Sequence, residues 1–316
     1  MERARVSVLS APEFRGWMPW AMKRWPHLTR RWVQYRAHCT QAPWRAVYLQ
    51  RSREAMLLAG IHSRAVEVSV SRLPSQFIAD VALLRHASNR TVRSLPIRIA
   101  GSPIESIAQA RLHGRGVILG CSNFGCFYHA LLASGGIFGD VLVVIGGPVP
   151  RGEQALRERI EAISGARIRL VQADRHSGIT VARQLAAGGV VATMLDTYLP
   201  TTDRLVAPFL GRPAASPAGI YRLASRYGAT TIPVFCLRRK GLTEIELGPL
   251  IPGAGLEPAE IAATVNLRVG EKILEEPGQW MMWHKLEERW AHGASTDSAT
   301  AARSVKCPGD IALGAA

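Results

Sequence analysis

The stretch VILGCSNFGCFYHALL, Val117 to Leu132, decides how the chain is read. It opens as a β-branched apolar run, passes through small and polar residues, and ends with helical spacing. A buried strand to about Gly120, a turn, and a helix over Phe124–Ala133 follow from that pattern. Such a turn lies at the carboxyl edge of a sheet, where open α/β proteins bind ligands. A helix N-terminus there offers free N–H groups and a positive dipole end. The spacing is not GxSxG, because Phe124 stands two residues after Ser122, so a nucleophile elbow is a weak reading.

Beyond Gly114 the same alternation continues. Strand-like runs cover Gly116–Gly120, Val141–Ile145, Arg167–Val171, Val190–Leu195, Thr230–Cys236 and Thr243–Leu247. Helix-like runs cover Glu153–Ile163, Gly178–Ala187, Ala218–Tyr227 and Ala259–Glu276. The rhythm predicts an α/β fold with a mixed, mostly parallel sheet flanked by helices. Short, wholly apolar strands fit a sheet buried on both faces. Before Gly114 the chain reads as helices, with a capped one starting at Ser102 and Pro103.

The 316 residues carry a net charge of +15, and nearly half are apolar, so a large core is expected and global disorder is not. Such a charge attracts nucleic acid, anionic lipid or acidic proteins alike. Five scattered cysteines form no CxxC pair and no zinc-like spacing, which reads as reduced thiols in a cytosolic setting. No metal or organic cofactor is implied. No secretory signal and no run long enough to span a bilayer is present.

Residues 1–53 stand apart. They hold Trp17, Trp20, Trp25, Trp32 and Trp44, with eleven Lys/Arg against two acids. Indoles and cations together suit an anionic membrane surface. The competing reading is a helical layer packed on the main domain. Nucleic acid is disfavoured, since no recognition motif accompanies the charge. The expected organisation is a basic, Trp-rich arm over 1–53, an α/β domain over 54–291, and a disordered tail over 292–316.

Three further features could carry chemistry. Asp196 ends the buried run VVATMLD, where a carboxylate can catalyse, orient a neighbour, or cap a turn. PFLGRP reads as a loop, followed by Ser216 as a cap for the helix that presents Arg222 and Arg226 on one face; these either meet solvent or bind phosphate. His284, in QWMMWHK, sits among aromatics and reads as a packed group.

Taken in order, GRGVILGCSNFGCFY, VVATMLDTYLPTTDRLVAPFLGRPAASPAGIYRLASRYGATTIPVFCLRR and EEPGQWMMWHK resemble the bacterial late acyltransferases of lipid A biosynthesis. The resemblance runs from about Leu95 to Trp290. It implies a glycerolipid-acyltransferase-like domain and transfer of an acyl chain from an acyl carrier protein or acyl-CoA to a hydroxyl or amine acceptor. It also implies the cytoplasmic face of the inner membrane; the family's amino-terminal membrane-spanning helix finds no counterpart in this sequence, so peripheral anchoring by the Trp/Arg arm is expected instead. In that family a His-x-x-x-x-Glu/Asp motif supplies a base and its orienting carboxylate. Here those positions are Asn123 and Tyr128. Asn cannot take a proton near neutral pH, and general-base help is worth about 10² to 10⁴ in rate. The chain is therefore expected to be either an acyltransferase with altered chemistry or an inactive relative that binds carrier or lipid for a partner enzyme.

By the same correspondence Asn123, Tyr128 and Asp196 are candidate catalytic positions, and Cys126, three residues after Asn123, is a fourth as a nearby substitute nucleophile. In that set Asn123 would serve as a polar or oxyanion donor, and Cys126 would be a conceivable acyl carrier. Phe124, Gly125, Arg157, Arg159, Phe209, Gly211 and Arg222 are the candidate substrate contacts.

Overall fold

The computed structural model describes residues 17–40, 42–101, 103–113, 116–134, 137–146, 152–174, 176–197 and 203–294. Its strands are β1 (Ile97–Ile99), β2 (Val117–Cys121), β3 (Asp140–Ile145), β4 (Arg167–Gln172), β5 (Val190–Met194), β6 (Arg204–Phe209), β7 (Arg212–Pro217), β8 (Thr230–Arg239) and β9 (Leu242–Leu247). The helices are α1 (Met18–Arg24), α2 (Pro26–Thr40), α3 (Ala42–Leu58), α4 (Arg64–His86), α5 (Asn89–Arg93), α6 (Pro103–His113), α7 (Tyr128–Ser134), α8 (Glu153–Ser164), α9 (Ser177–Ala186), α10 (Ala218–Tyr227), α11 (Pro258–Glu275) and α12 (Leu286–Ala294).

Seven strands form one sheet in the order β1-β9-β8-β2-β5-β3-β4. Every neighbouring pair is parallel except β8 with β9. The sheet is covered on both faces, and the alternation of side chains explains how. Val117, Leu119, Val141, Val143, Val190, Ala192 and Val234 point into one apolar cluster with α4, α7 and α8. Ile118, Leu142, Val191, Phe235 and Leu237 point into the other with α9, α10, α11 and three C-terminal tryptophans. Hence the inner strands are almost wholly apolar, with Thr193 of β5 and the buried Thr230 and Thr231 of β8 among the exceptions. The β4 edge is different: Arg167 and Arg169 are exposed there, which blunts an otherwise pairing-competent edge.

Two local expectations are corrected. The first is the helix after β2, which begins at Tyr128 rather than Phe124. Gly125 takes φ +53°, and a Cβ there would lie 2.5 Å from the Cys236 carbonyl oxygen. Phe124 forms a β-bridge with Trp280, and the Asn123 carbonyl accepts the Met281 N–H at 3.0 Å. These contacts hold 122–127 as a loop, so no helix N-terminus stands at Asn123. The second is PFLGRP, which is a hairpin. Leu210 and Gly211 both have positive φ and form the two-residue turn joining β6 to β7. Ser216 lies within β7 and caps nothing; its hydroxyl bonds Asn266 and Arg289.

The Trp-rich segment, as far as it is described, is helical and docked. Met18, Ala21, Met22, Val33 and Ala37 are buried. Arg30 of α2 bonds the buried Asp80 of α4 at 2.6 and 2.8 Å, and Arg238 of β8 takes the other carboxylate oxygen. Helix α3 runs across the 53/54 boundary. Ser102 and residues 295–316 fall outside the described residues, and His292 belongs to α12.

Beneath Asp80 lie Cys126 and His129, with ligating atoms of the three groups within 4.8 Å of one another. The two guanidiniums already neutralise Asp80, so the cluster is a packed polar knot and no cation is assigned to it. His129 is buried, and its Nδ1 lies 3.2 Å from the Thr243 hydroxyl. Burial, helped by Arg238 and Arg30 and opposed by Asp80, pulls its pKa down to about 4.

A depressed histidine makes the fold refuse a proton that the unfolded chain accepts. Its stabilising effect is therefore complete above the unfolded pKa and shrinks as pH falls toward the folded one. One such group removes about 2 kcal/mol of stability between about pH 6.5 and pH 5. His129→Gln should flatten that slope in urea unfolding run across this range. An unchanged slope would refute the assignment.

Candidate functional site

A cavity of about 770 Å³ opens at the carboxyl ends of β2, β3 and β5, in the size range of small-molecule sites. Most of its wall is apolar, with Phe77, Val81, Leu131, Ile160, Ile168 and Leu170 among the lining residues. The polar part of the wall includes Ser122, Asn123, Tyr128, Glu153, Arg85 and Arg157. The cavity lies at the strand ends that the sequence reading singled out.

Asp196 sets the geometry of one polar wall. It follows β5, is 2 % exposed, and accepts three hydrogen bonds. The Asn123 backbone N–H donates at 2.6 Å, the Asn123 amide nitrogen at 2.7 Å, and the Trp280 indole at 2.7 Å. Burial raises its pKa, and these three donors together with Arg289 work in the opposite direction. A carboxylate can only accept, so the Asn123 amide presents Nδ2 to Asp196 and keeps Oδ1 free of it. The expected oxyanion role is thereby narrowed. The Asn123 backbone N–H and one amide proton are committed to Asp196, leaving one amide proton and one acceptor lone-pair group for the cleft.

Behind Asp196 stands Arg289, which the sequence reading did not single out. It is 4 % exposed and donates to the Ala215 carbonyl, the Asp196 carbonyl, the Ser216 hydroxyl and the Asn266 side chain. Its guanidinium carbon also lies 3.8 Å from the Phe209 ring centre. Burial lowers its pKa to about 10, so it stays charged at neutral pH. Nothing in the local sequence LEERW marks this arginine, because its partners come from β7, α11 and the β5 turn.

The second polar wall centres on Tyr128. Its hydroxyl donates to the Glu153 carboxylate at 2.6 Å. A carboxylate supplied by α8 therefore stands beside Tyr128. Burial raises both the Tyr128 and the Glu153 pKa. Glu153 and Arg85 were also missed in the sequence, where Ser122 was weighed only as a weak nucleophile-elbow serine. Ser122 is 1 % exposed with an unpartnered hydroxyl, and the Arg85 Nε is likewise buried without a partner.

The remaining candidates divide. Phe124, Gly125 and Arg157 line the cavity, and Arg157 also bonds Glu161 and the Ile168 carbonyl at 2.8 and 2.7 Å. Cys126 is buried against Asp80 and His129, outside the lining, and burial pushes its thiol well up. Arg159 bonds the Ala87 carbonyl, and Arg222 pairs with Asp203 on the surface. Phe209 packs under Arg289, and Gly211 forms the hairpin turn. None of these last four lines the cavity. His284 packs on Tyr48, ring centres 4.8 Å apart.

Removing the Asp196 carboxylate orphans three buried donors at once. Asp196→Ala should lose roughly 3 kcal/mol or more in urea unfolding, and Asn123→Ala about 1.5 to 3 kcal/mol. Equal, sub-kilocalorie losses for both would show that the carboxylate does not organise the wall.

No curated protein matches the chain. Residues 166–290 match the model of the bacterial lipid A biosynthesis acyltransferase family. That span begins just before β4 and includes Asp196, the hairpin, Trp280 and Arg289. Over these residues, about two-fifths of the chain, the protein is similar to the bacterial lipid A biosynthesis acyltransferase family.

Proposed function

We propose that the protein moves an acyl chain from a carrier thioester, on acyl carrier protein or acyl-CoA, to a hydroxyl or amine acceptor at a membrane surface. One observation carries this reading: the cleft joins a long apolar wall to a compact polar end at Asn123. An acyl chain fits the first and a thioester carbonyl the second. With both the histidine and its partner carboxylate replaced, the reaction runs by a different proton path. A free amide proton of Asn123 could still stabilise a thioester oxyanion, a contribution often larger than the base itself.

The second reading is an acyl-binding protein without turnover, serving a partner enzyme. It is favoured by the commitment of the Asn123 backbone N–H and one of its two amide protons to Asp196. A thiol-release assay with lauroyl-, myristoyl- and palmitoyl-CoA, run with octyl glucoside and an alkylamine as acceptors, separates the two. Turnover that Leu131→Trp blocks by filling the apolar wall supports transfer. Saturable acyl-CoA binding without thiol release supports the binding protein. Neither binding nor release would remove both.

Peripheral membrane attachment is part of the proposal. No helix among the described residues is long and apolar enough to cross a bilayer. Trp17, Trp20, Trp25 and Tyr35 are 46, 61, 48 and 66 % exposed, interleaved with exposed Lys23, Arg24 and Arg31. Indoles favour the headgroup region, and each cation near an anionic surface is worth about 1 kcal/mol. We place this face on the cytoplasmic leaflet of the inner membrane. Replacing the three cations by Gln should weaken binding to phosphatidylglycerol vesicles roughly a hundredfold at low salt. Phosphatidylcholine vesicles should show little change, and equal binding by both proteins would reject the surface.

A further inference from the structure

We propose that Glu153 is the general base of the cleft. The inference rests on the acyl-transfer reading above and supplies the proton path that reading lacks. Glu153 opens α8 and is 5 % exposed by residue, yet it lines the cavity. Its Oε2 accepts the Tyr128 hydroxyl at 2.6 Å. Its Oε1 accepts no hydrogen bond from the described residues. One carboxylate oxygen is thus anchored while the other is left for something in the cleft.

The surroundings suit a proton acceptor. Arg85 lies close by without forming an ion pair to Glu153: its guanidinium carbon would be 3.6 Å from a Cβ on Gly152, and its Nε has no partner. A full ion pair would hold the carboxylate too acidic to act, whereas a nearby, unbonded cation only moderates the effect of burial. Burial moves the Glu153 pKa upward, toward the range where a base works at neutral pH. Tyr128 and Asn123 could not fill the role. The first is driven further from ionisation by the same burial, and the second has no proton to exchange near neutrality.

The step balances as follows. The acceptor O–H or N–H gives its proton to Glu153 Oε1 as its oxygen or nitrogen bonds to the thioester carbonyl carbon. The tetrahedral oxyanion then collapses, the C–S bond breaks, and the departing sulfur takes the proton from Glu153. An ester or amide and a free thiol result, with the carboxylate restored. Tyr128 is a positioning residue: it fixes which Glu153 oxygen faces the acceptor.

The test compares two acceptors with lauroyl-CoA as donor. Octyl glucoside offers hydroxyls that need a base, and hydroxylamine attacks thioesters without one. In Glu153→Gln the glucoside rate should fall about 10²-fold relative to the hydroxylamine rate. The low-pH limb of the glucoside pH profile should vanish with it. Tyr128→Phe should shift that limb while keeping measurable glucoside transfer. If Glu153→Gln lowers both rates equally, or neither, Glu153 is structural, and acyl transfer stands without it. If the wild type releases no thiol with either acceptor, the acyl-transfer reading itself falls and this assignment with it.

Discussion

The Asp196 carboxylate is the contact on which the cleft depends. Placing a carboxylate where water cannot reach is costly, and only well-aimed donors make it tolerable. Here the donors come from the loop after β2 and from the segment after α11, joined by a residue at the end of β5. Those three segments form one polar wall of the cavity. Arg289 supports it from behind through the Asp196 carbonyl, so that the backbone and the side chain of one residue are both fixed.

This arrangement explains why an asparagine suits position 123. Asn123 has a donor to give Asp196 and an acceptor to spare, and it carries no charge that the buried wall would have to balance. The opposite wall joins the Tyr128 hydroxyl to the Glu153 carboxylate, which α8 brings into the cleft. Two polar centres, each assembled from distant segments, face a common apolar space.

The sheet was legible in the sequence, and the site only partly so. Runs such as VILG, VVATM and DVLVVI are short, rich in β-branched residues and flanked by Gly, which marks them as strands covered on both faces. PFLGRP was misread because its Gly and Pro suggest a loop, while the positive φ of Leu210 that makes the turn has no sequence signature. Asp196 could be located as a strand-end carboxylate, but its role could not, since Trp280 lies 84 residues further on. Glu153 and Arg289 carry no local mark at all. What makes each one matter is a partner supplied by the fold, Tyr128 for the first and Asp196 for the second.

The Asp80 knot has a consequence for the order of assembly. Its two arginines lie 50 residues before it and 158 residues after it. Helix α2 leaves the ribosome early, yet the second guanidinium that completes its docking site arrives only with β8. Loop-closure entropy delays contacts of that span. The aromatic N-terminal helices therefore spend much of synthesis without their final seat, and their exposed indoles and apolar faces are available to lipid or to chaperones throughout that interval. The face proposed to meet the membrane is thus completed by a residue made about two hundred positions after it.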